Sequence, residues 1–329
     1  MYRTLIVPLD GSPTSELALP CAAVIAAGTG AAIELIRIHQ LSALEPGDDR
    51  AWVESVRREE VDYLARTAAY LQLEIACQVS FALLDGPVVD AICAYAREQY
   101  GAVIVMSTHG RTGVSRIWFG SVADGVVHHA SNPVLLVRPP REGSEPSDLP
   151  LPPGGRILVP LDGSGFAEQV LPQAAALARA IEGDLFLLQV VPPMPPPPAH
   201  IPIPYLPPQE VPGASTHSGR DRADEYLLDL ARRLRVQHAP LTVEYAVQVS
   251  ESAATAIIEC VHARAPAAVA LATHGRAMSR LLMGSVADKV LRAGPRVVLL
   301  LRPRLEERED DEKARSEQGS DMAEGGVRW

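Results

Sequence analysis

Three short blocks of this chain occur twice, in the same order. Val7-Pro8-Leu9-Asp10-Gly11-Ser12 returns 152 residues later as Val159-Pro160-Leu161-Asp162-Gly163-Ser164. Thr108-His109-Gly110-Arg111 returns after 165 residues as Thr273-His274-Gly275-Arg276. Gly120-Ser121-Val122-Ala123-Asp124 returns after 164 as Gly284-Ser285-Val286-Ala287-Asp288. Ordered self-similarity of this kind marks a duplicated structural unit. At 329 residues the chain has room for two units, each with its own core. The expected organisation is a first domain over 1–139, a Pro/Gly-rich linker over 140–155, a second domain over 156–303 and a charged, disordered tail over 304–329. The rise in offset from 152 to 165 places an insertion at 192–215, where eleven of the 22 residues from Pro192 to Gly213 are proline. Such a stretch reads as an extended polyproline-type loop, either a surface insertion or a lid or docking strip. The fall from 165 to 164 is a one-residue deletion in the second copy.

Within each copy, apolar runs alternate with amphipathic stretches. Thr4–Leu9 is rich in branched residues and reads as a buried strand. A helix carrying Leu17, Leu19, Val24 and Ile25 follows it, capped by Ser12 or by Ser15. Further strands are expected at Ile33–Ile38, Ile75–Phe81, Ala102–Met106 and Val134–Val137. Between them, Ala51–Leu71 reads as a long helix with Val53, Val56, Val61, Leu64 and Leu71 inward. Gly86–Gln99, with Pro87 near its first turn, and Ser121–Ala130 complete the helices. The second copy repeats this from Arg156 to Arg302. The alternation implies an α/β fold, a parallel sheet with helices on both faces.

Charge and composition exclude several function classes. Thirty Lys and Arg against 40 Asp and Glu give a net charge of −10, of which −4 falls in residues 304–329. No nucleic-acid partner is expected, because that affinity rests on cationic contacts to phosphate. The four cysteines, Cys21, Cys77, Cys93 and Cys260, are widely and irregularly spaced and read as reduced, buried thiols. No window of 18 uninterrupted apolar residues occurs, so no membrane partner is expected. The opening MYRTLIVPLDGS has neither the basic start nor the apolar centre of a leader, and a cytoplasmic location is expected.

V-P-L-D-G-S at the first strand, T-H-G-R after the fourth and G-S-V-A-D opening the last helix, each found twice, resemble the universal stress protein family. The resemblance covers nearly the whole chain. It implies two tandem open α/β sandwiches of the adenine nucleotide alpha hydrolase-like kind, each with a five-stranded parallel sheet. It also implies that the two pair through their last strands as an intramolecular pseudo-dimer, so that the chain is a monomer with internal pairing or a homodimer. One branch of the family binds ATP, with or without Mg²⁺, through a loop of the form Gly-x2-Gly-x9-Gly-Ser/Thr. The function implied is a nucleotide-responsive stress or regulatory factor whose protein partners the sequence does not name.

The physics of such a loop can be read directly. Ligands of open parallel sheets bind beyond the carboxyl ends of the strands, where strand order reverses. A glycine-bearing loop that leads into a helix N-terminus turns backbone N–H groups toward an anion. The first copy reads Ser107-x2-Gly110-x9-Gly120-Ser121, with serine at the family's first glycine. The second reads Ala272-x2-Gly275-x8-Gly284-Ser285, and its missing residue shifts the downstream N–H groups by up to about 3.5 Å of chain. Carried over residue by residue, the resemblance puts base and ribose contacts on Pro8 and Asp10 and adenine walls on Ile38 and Met106. Phosphate contacts fall on Gly110, Gly120, Ser121 and Val122, with Ser107 and Arg111 beside the loop. The second-domain counterparts are Pro160, Asp162, Val190, Leu271, Ala272, Gly275, Arg276, Gly284, Ser285 and Val286. A carboxylate at Asp10 suits ribose because it accepts two hydroxyl hydrogen bonds, and Arg111 and Arg276 suit phosphate.

Plainer readings stand beside these. Gly110 and Gly120 fit turn and helix-start positions, and Asp10 fits a helix cap. His109 and His274 lack the companions of a triad or a metal site. His128-His129 reads as a charge at a helix C-terminus, and Gly28-x-Gly30 as the end of a helix rather than a dinucleotide fingerprint. Trp118 and Phe119 read as packing residues that also lie where they can close the site. No catalytic residue is assigned. Lys289 and Lys313, the two lysines of the chain, follow no glycine loop, so rapid ATP hydrolysis is not expected. Slow hydrolysis and a purely non-binding interaction role remain as alternative functions.

Overall fold

The computed structural model describes residues 2–40, 50–108, 120–140, 150–193, 219–273, 284–293 and 295–302. The first half runs β1 (Thr4–Pro8), α1 (Pro13–Glu16), α2 (Leu19–Thr29), β2 (Ala32–His39), α3 (Arg50–Glu74), β3 (Val79–Asp85), α4 (Val88–Glu98), β4 (Ala102–Ser107), α5 (Ser121–His129) and β5 (Val134–Val137). The second runs β6 (Arg156–Leu161), α6 (Gly165–Glu168), α7 (Leu171–Ala180), β7 (Asp184–Val191), α8 (Gly219–Gln237), β8 (Val243–Val249), α9 (Ala253–Arg264), β9 (Ala268–Ala272), α10 (Ser285–Ala293) and β10 (Val297–Leu301). The repeat seen in the sequence is thus a repeat of elements.

The two halves share one sheet. Its ten strands stand in the order β3-β2-β1-β4-β5-β10-β9-β6-β7-β8. Pairing is parallel within each half, and the halves join where β5 meets β10 in antiparallel register. Leu135 lies opposite Leu299, its own counterpart in the repeat, so a pseudo-twofold axis passes between them. The two five-stranded sheets expected from the sequence are therefore halves of a continuous one.

Alternate residues of each strand point to opposite faces, and both faces are covered. Leu5, Val7, Ile33 and Leu35 lie in one core with Ile25 of α2 and Leu64 of α3. Ile6, Ile36, Ile104 and Met106 lie in the other with Ile92 of α4 and Val126 of α5. Each core continues into the second half, through Ile157, Leu185 and Leu299 on one face and Leu158, Phe186 and Val298 on the other. Leu151, in the stretch expected to be linker, is fully buried in the first of these cores.

Several local expectations are corrected. The first helix is two pieces, because Pro20 has no N–H to donate back to the Glu16 carbonyl and instead sits in the first turn of α2. The third strand starts at Val79 rather than Ile75. Helix α3 runs on to Glu74, the Ile75 N–H still donates to Leu71 at 3.0 Å, and the Gln72 side chain then bridges Cys77 O and Val79 N. Val61 faces outward, while Leu64, Ala68 and Leu71 are buried. All four cysteines are free, but Cys77 is only half-buried. The stretch 194–218 and the tail from residue 303 lie outside the described residues, as do 141–149 of the linker.

Candidate functional site

Strand order reverses between β1 and β4. The chain lays β2 and β3 outward on one side of β1, then returns to place β4 on the other. The segment leaving β1 turns to the face covered by α2 and α3, and the one leaving β4 leads to α5 on the opposite face. Their divergence opens a crevice at the carboxyl ends of the two strands, where sheets of this topology hold ligands.

Sequence-expected residues gather there. Pro8 closes β1, Ile38 is next to last in β2, and Met106 and Ser107 close β4. The pairing of Ile6 with Ile104, continued in step, sets Pro8 level with Met106. Ile38, Met106 and Val122 pack into one apolar cluster, forming a wall on the α4–α5 side. Gly120 is the N-cap of α5, followed by Ser121 and Val122. Gly110 and Arg111 lie outside the described residues, with His109, Trp118 and Phe119.

Two clasps fix the rims of the crevice. On the β1 side, Asp10 Oδ1 accepts from the Ser12 N–H at 2.9 Å and from the Ser12 hydroxyl at 2.6 Å. Ser12 is the cap of α1 and accepts from the Ser15 N–H at 3.2 Å, while the Ser15 hydroxyl donates to the Ser12 carbonyl at 2.8 Å. Asp10 is therefore not the cap; it holds the cap. Gly11 between them has φ +80°, a conformation that favours glycine. On the β4 side, the Gly120 N–H donates to the Thr108 carbonyl at 2.8 Å, and the Thr108 N–H to Val137 at 3.0 Å. The loop between Thr108 and Gly120 thus leaves and returns at one point. Gly120 brings no side chain of its own to the first-turn N–H groups of α5, the positive end of the helix dipole.

The second half repeats the arrangement. Asp162 Oδ1 accepts from the Ser164 N–H at 3.0 Å and its hydroxyl at 2.5 Å, and Ser164 caps α6 through the Ala167 N–H at 3.1 Å. Pro160 lies near the end of β6, and Leu271 and Ala272 close β9. Val190, Leu271 and Val286 pack into the same face cluster as their counterparts. Gly284 precedes α10, whose first residues are Ser285 and Val286. Gly275, Arg276 and His274 lie outside the described residues.

A sequence model described as the universal stress protein family matches residues 1–138 and again residues 155–302. The chain belongs to the universal stress protein family. It is 28% identical over 145 residues to a universal stress protein of Methanocaldococcus jannaschii, an alignment covering 43% of this chain and 85% of that one. It is 32% identical over 142 residues to one of Mycobacterium tuberculosis, covering 42% of this chain and 46% of its relative. The chain thus spans about half the length of that mycobacterial relative. A universal stress protein structure from Archaeoglobus fulgidus superposes with TM-score 0.66 at 17% identity, covering 91% of this chain and 98% of the other. A putative universal stress protein from Pseudomonas aeruginosa superposes at 0.58 with 16% identity, covering 92% and 94%. At those identities the likeness is one of fold.

Setting the two universal stress protein domains side by side reveals residues that the motifs did not single out. At the end of β2, Glu60 bridges Arg37 Nε at 3.1 Å and His39 Nδ1 at 2.6 Å. Beside them Arg57 pairs with Asp85, and that hydrogen bond holds the Asp85 carboxyl below its ordinary range. The Tyr63 hydroxyl donates to Glu16 at 2.7 Å, and burial followed by that bond pushes its pKa up. The second domain keeps the tyrosine pair, as Tyr226 to Glu168 at 3.0 Å. It has Gln189, Val191 and Val249 where the first has Arg37, His39 and Asp85, and, with the two tyrosines matched, Ala223 where the first has Glu60. For Arg37 and His39 the signal was present in the sequence, as a comparison of the copies at the offset of 152.

Two of the plainer expectations, at His128-His129 and at Gly30, find their places. His128 and His129 set Nδ1 at 2.7 and 2.8 Å from the carbonyls of Asp124 and Gly125, one turn back at the end of α5. Gly30, at φ +71°, closes α2. Among the described residues no group of three or more His, Cys, Asp or Glu is disposed to hold a metal ion, and no helix is long and apolar enough to cross a membrane.

Proposed function

We propose that the first domain binds ATP, and that its nucleotide state governs association with protein partners in a stress or regulatory role. Adenine lies against Ile38 and Met106 beside Pro8, the ribose hydroxyls meet Asp10, and the phosphates lie over Gly110, Gly120, Ser121 and Val122. Ser107 flanks the phosphate loop and Arg111 supplies its cation. The observation that carries this reading is the convergence, where strand order reverses, of the clasped Asp10 turn and the glycine-capped N-terminus of α5. A bound nucleotide would bridge the β1 and β4 rims, and so change the surface that both present to a partner.

The second domain carries the same set at Pro160, Asp162, Val190, Leu271, Ala272, Gly275, Arg276, Gly284, Ser285 and Val286, but its phosphate loop is one residue shorter. Binding is therefore assigned to the first domain. Among the described residues Lys289 is the one lysine, and it lies on α10; the site is read as holding ATP rather than consuming it. Calorimetric titration of the full chain with ATP and Mg²⁺ tests the proposal. Binding of about one ATP per chain is expected, and no heat at millimolar nucleotide with a folded sample overturns it.

A further inference from the structure

The Arg37 guanidinium is held on one edge and lies against the turn after β1 on another. Its Nε donates to Glu60 at 3.1 Å, its side chain is 13% exposed, and its guanidinium carbon stands 5.5 Å from the centre of the Tyr63 ring. Another edge of the same guanidinium lies against the turn: a Cβ at Gly11 would fall 2.5 Å from Arg37 Nη1. Gly11 is the middle residue of the turn in which Asp10 holds Ser12. The planar fork of arginine suits this double duty, with Nε on a carboxylate and the Nη groups laid against backbone. Glu60 is steadied in turn by His39, which is 4% exposed.

The second domain keeps the same turn, with Gly163 at φ +81° and Asp162 on Ser164, but lacks this brace. Gln189 still faces Gly163, whose Cβ would lie 3.3 Å from its Nε2. Among the described residues no carboxylate pins it, Ala223 standing in the place of Glu60, and Gln189 Oε1 is buried without a hydrogen-bond partner. Arginine, histidine and glutamate are replaced together, while the tyrosine–glutamate bond beside them is kept. Of the replaced residues, Arg37 is the one that lies against the Asp10 turn.

The geometry points to Arg37 as a positioning residue of the first domain's nucleotide site, aiming the Asp10 carboxylate at the ribose hydroxyls by bracing Gly11. This rests on the nucleotide reading above. A carboxylate held in one direction loses a charge-assisted hydrogen bond when the ribose hydroxyl is missing. A carboxylate on a loose turn relaxes toward water and discriminates less. Base and phosphate contacts do not pass through Arg37, so its removal reduces ribose selectivity more than overall affinity.

The test compares ATP with 2′,3′-dideoxy-ATP by calorimetry on the full chain. Wild type is expected to prefer ATP by about tenfold or more, the size of one hydrogen bond to a charged group. Arg37→Gln, which installs the second domain's residue, is expected to bring that preference within about threefold while the circular dichroism stays unchanged. If Arg37→Gln does not fold, Arg37→Lys replaces it; lysine keeps a charge for Glu60 but has no fork to lay over Gly11, and the same loss is expected. A folded variant that discriminates as wild type does overturns the role of Arg37 and leaves the nucleotide reading standing. A wild type that binds neither nucleotide overturns that reading, and this inference with it.

Discussion

Gly28 of α2 and Ala180 of α7 are counterparts in the repeat, 152 residues apart, and they meet each other across the pseudo-twofold axis. A Cβ at position 28 would stand 2.0 Å from the Ala180 carbonyl oxygen. The contact is backbone, so a side chain there cannot be accommodated by a rotamer change. Gly28→Ala is expected to destabilise the protein by about 2 kcal/mol or more. Gly30→Ala is the control: its φ of +71° is strained for alanine but nothing lies within 4 Å, and about 1 kcal/mol is expected. Urea midpoints of the two variants should fall in that order.

The seam between the halves should make unfolding a single event. Leu299 is fully buried opposite Leu135, in a core that runs through both halves. Leu299→Ala is expected to cost about 2–4 kcal/mol and to lower one shared transition rather than split it. Coincident unfolding curves from circular dichroism and from limited proteolysis of each half check this. A second, unshifted transition belonging to the first half would count against it.

Gly120→Val separates binding from folding. Gly120 sits at φ −68°, ψ 146°, an extended conformation open to any residue. The variant should therefore keep its thermal midpoint within a few degrees of wild type, corresponding to less than about 1 kcal/mol. Its branched side chain would stand over the first-turn N–H groups of α5, and ATP affinity should fall by about tenfold or more. Parallel melting and titration of the one sample decide the matter.

Asp85 predicts a small loss of stability in acid. Its hydrogen bond to Arg57 lowers its pKa below the ordinary value. Stability from this pair is present above the unfolded-state pKa, near 3.9, and is lost as pH falls through the depressed folded value. Both side chains are more than a third exposed, so solvent screening leaves about 0.5 kcal/mol or less. Asp85→Asn should lower the urea midpoint slightly at pH 7, and the difference from wild type should shrink in acid as the wild-type carboxyl becomes protonated.

The thiols should react in order of access. Burial pushes Cys21 up to about 12 and Cys93 up to about 11, so neither is appreciably thiolate at neutral pH. Cys77 is half-buried and less shielded, although burial raises it too. Mass spectrometry after brief alkylation of the native protein at pH 8 should find the label on Cys77 well before Cys21 or Cys93. Early labelling of Cys21 would contradict its place in the core.

What the sequence made legible follows from the range of its signals. Strands such as Ile33–Ile38 and Val134–Val137 could be read because both sheet faces are covered and branched apolar residues dominate them; Val134–Val137 is an unbroken apolar run, while Glu34 and Arg37 interrupt Ile33–Ile38. The third strand was misplaced by four residues because Ile75 and Cys77 look like strand residues, while the helix-forming run through Leu73 and Glu74 carries α3 past Leu71. The Asp10 turn and the start of α5 were found because the repeated motifs lie on them. Asp10's bond to Ser12 was not, since a side chain's partner two residues away leaves no periodic trace. Arg37 and Glu60, 23 residues apart, meet only because α3 returns over β2. That contact becomes visible in sequence only as a difference between the copies.

The meeting of β5 and β10 inside one chain has an evolutionary consequence. When two identical subunits join through such strands, every substitution is imposed on both, and the pair dissolves on dilution. Here the partner is tethered, held at an effective concentration on the order of millimolar whatever the protein's abundance. Each half can therefore mutate alone without losing its neighbour. Gln189, Val191 and Ala223 are an instance of that licence: one half carries a charged cluster that the other lacks.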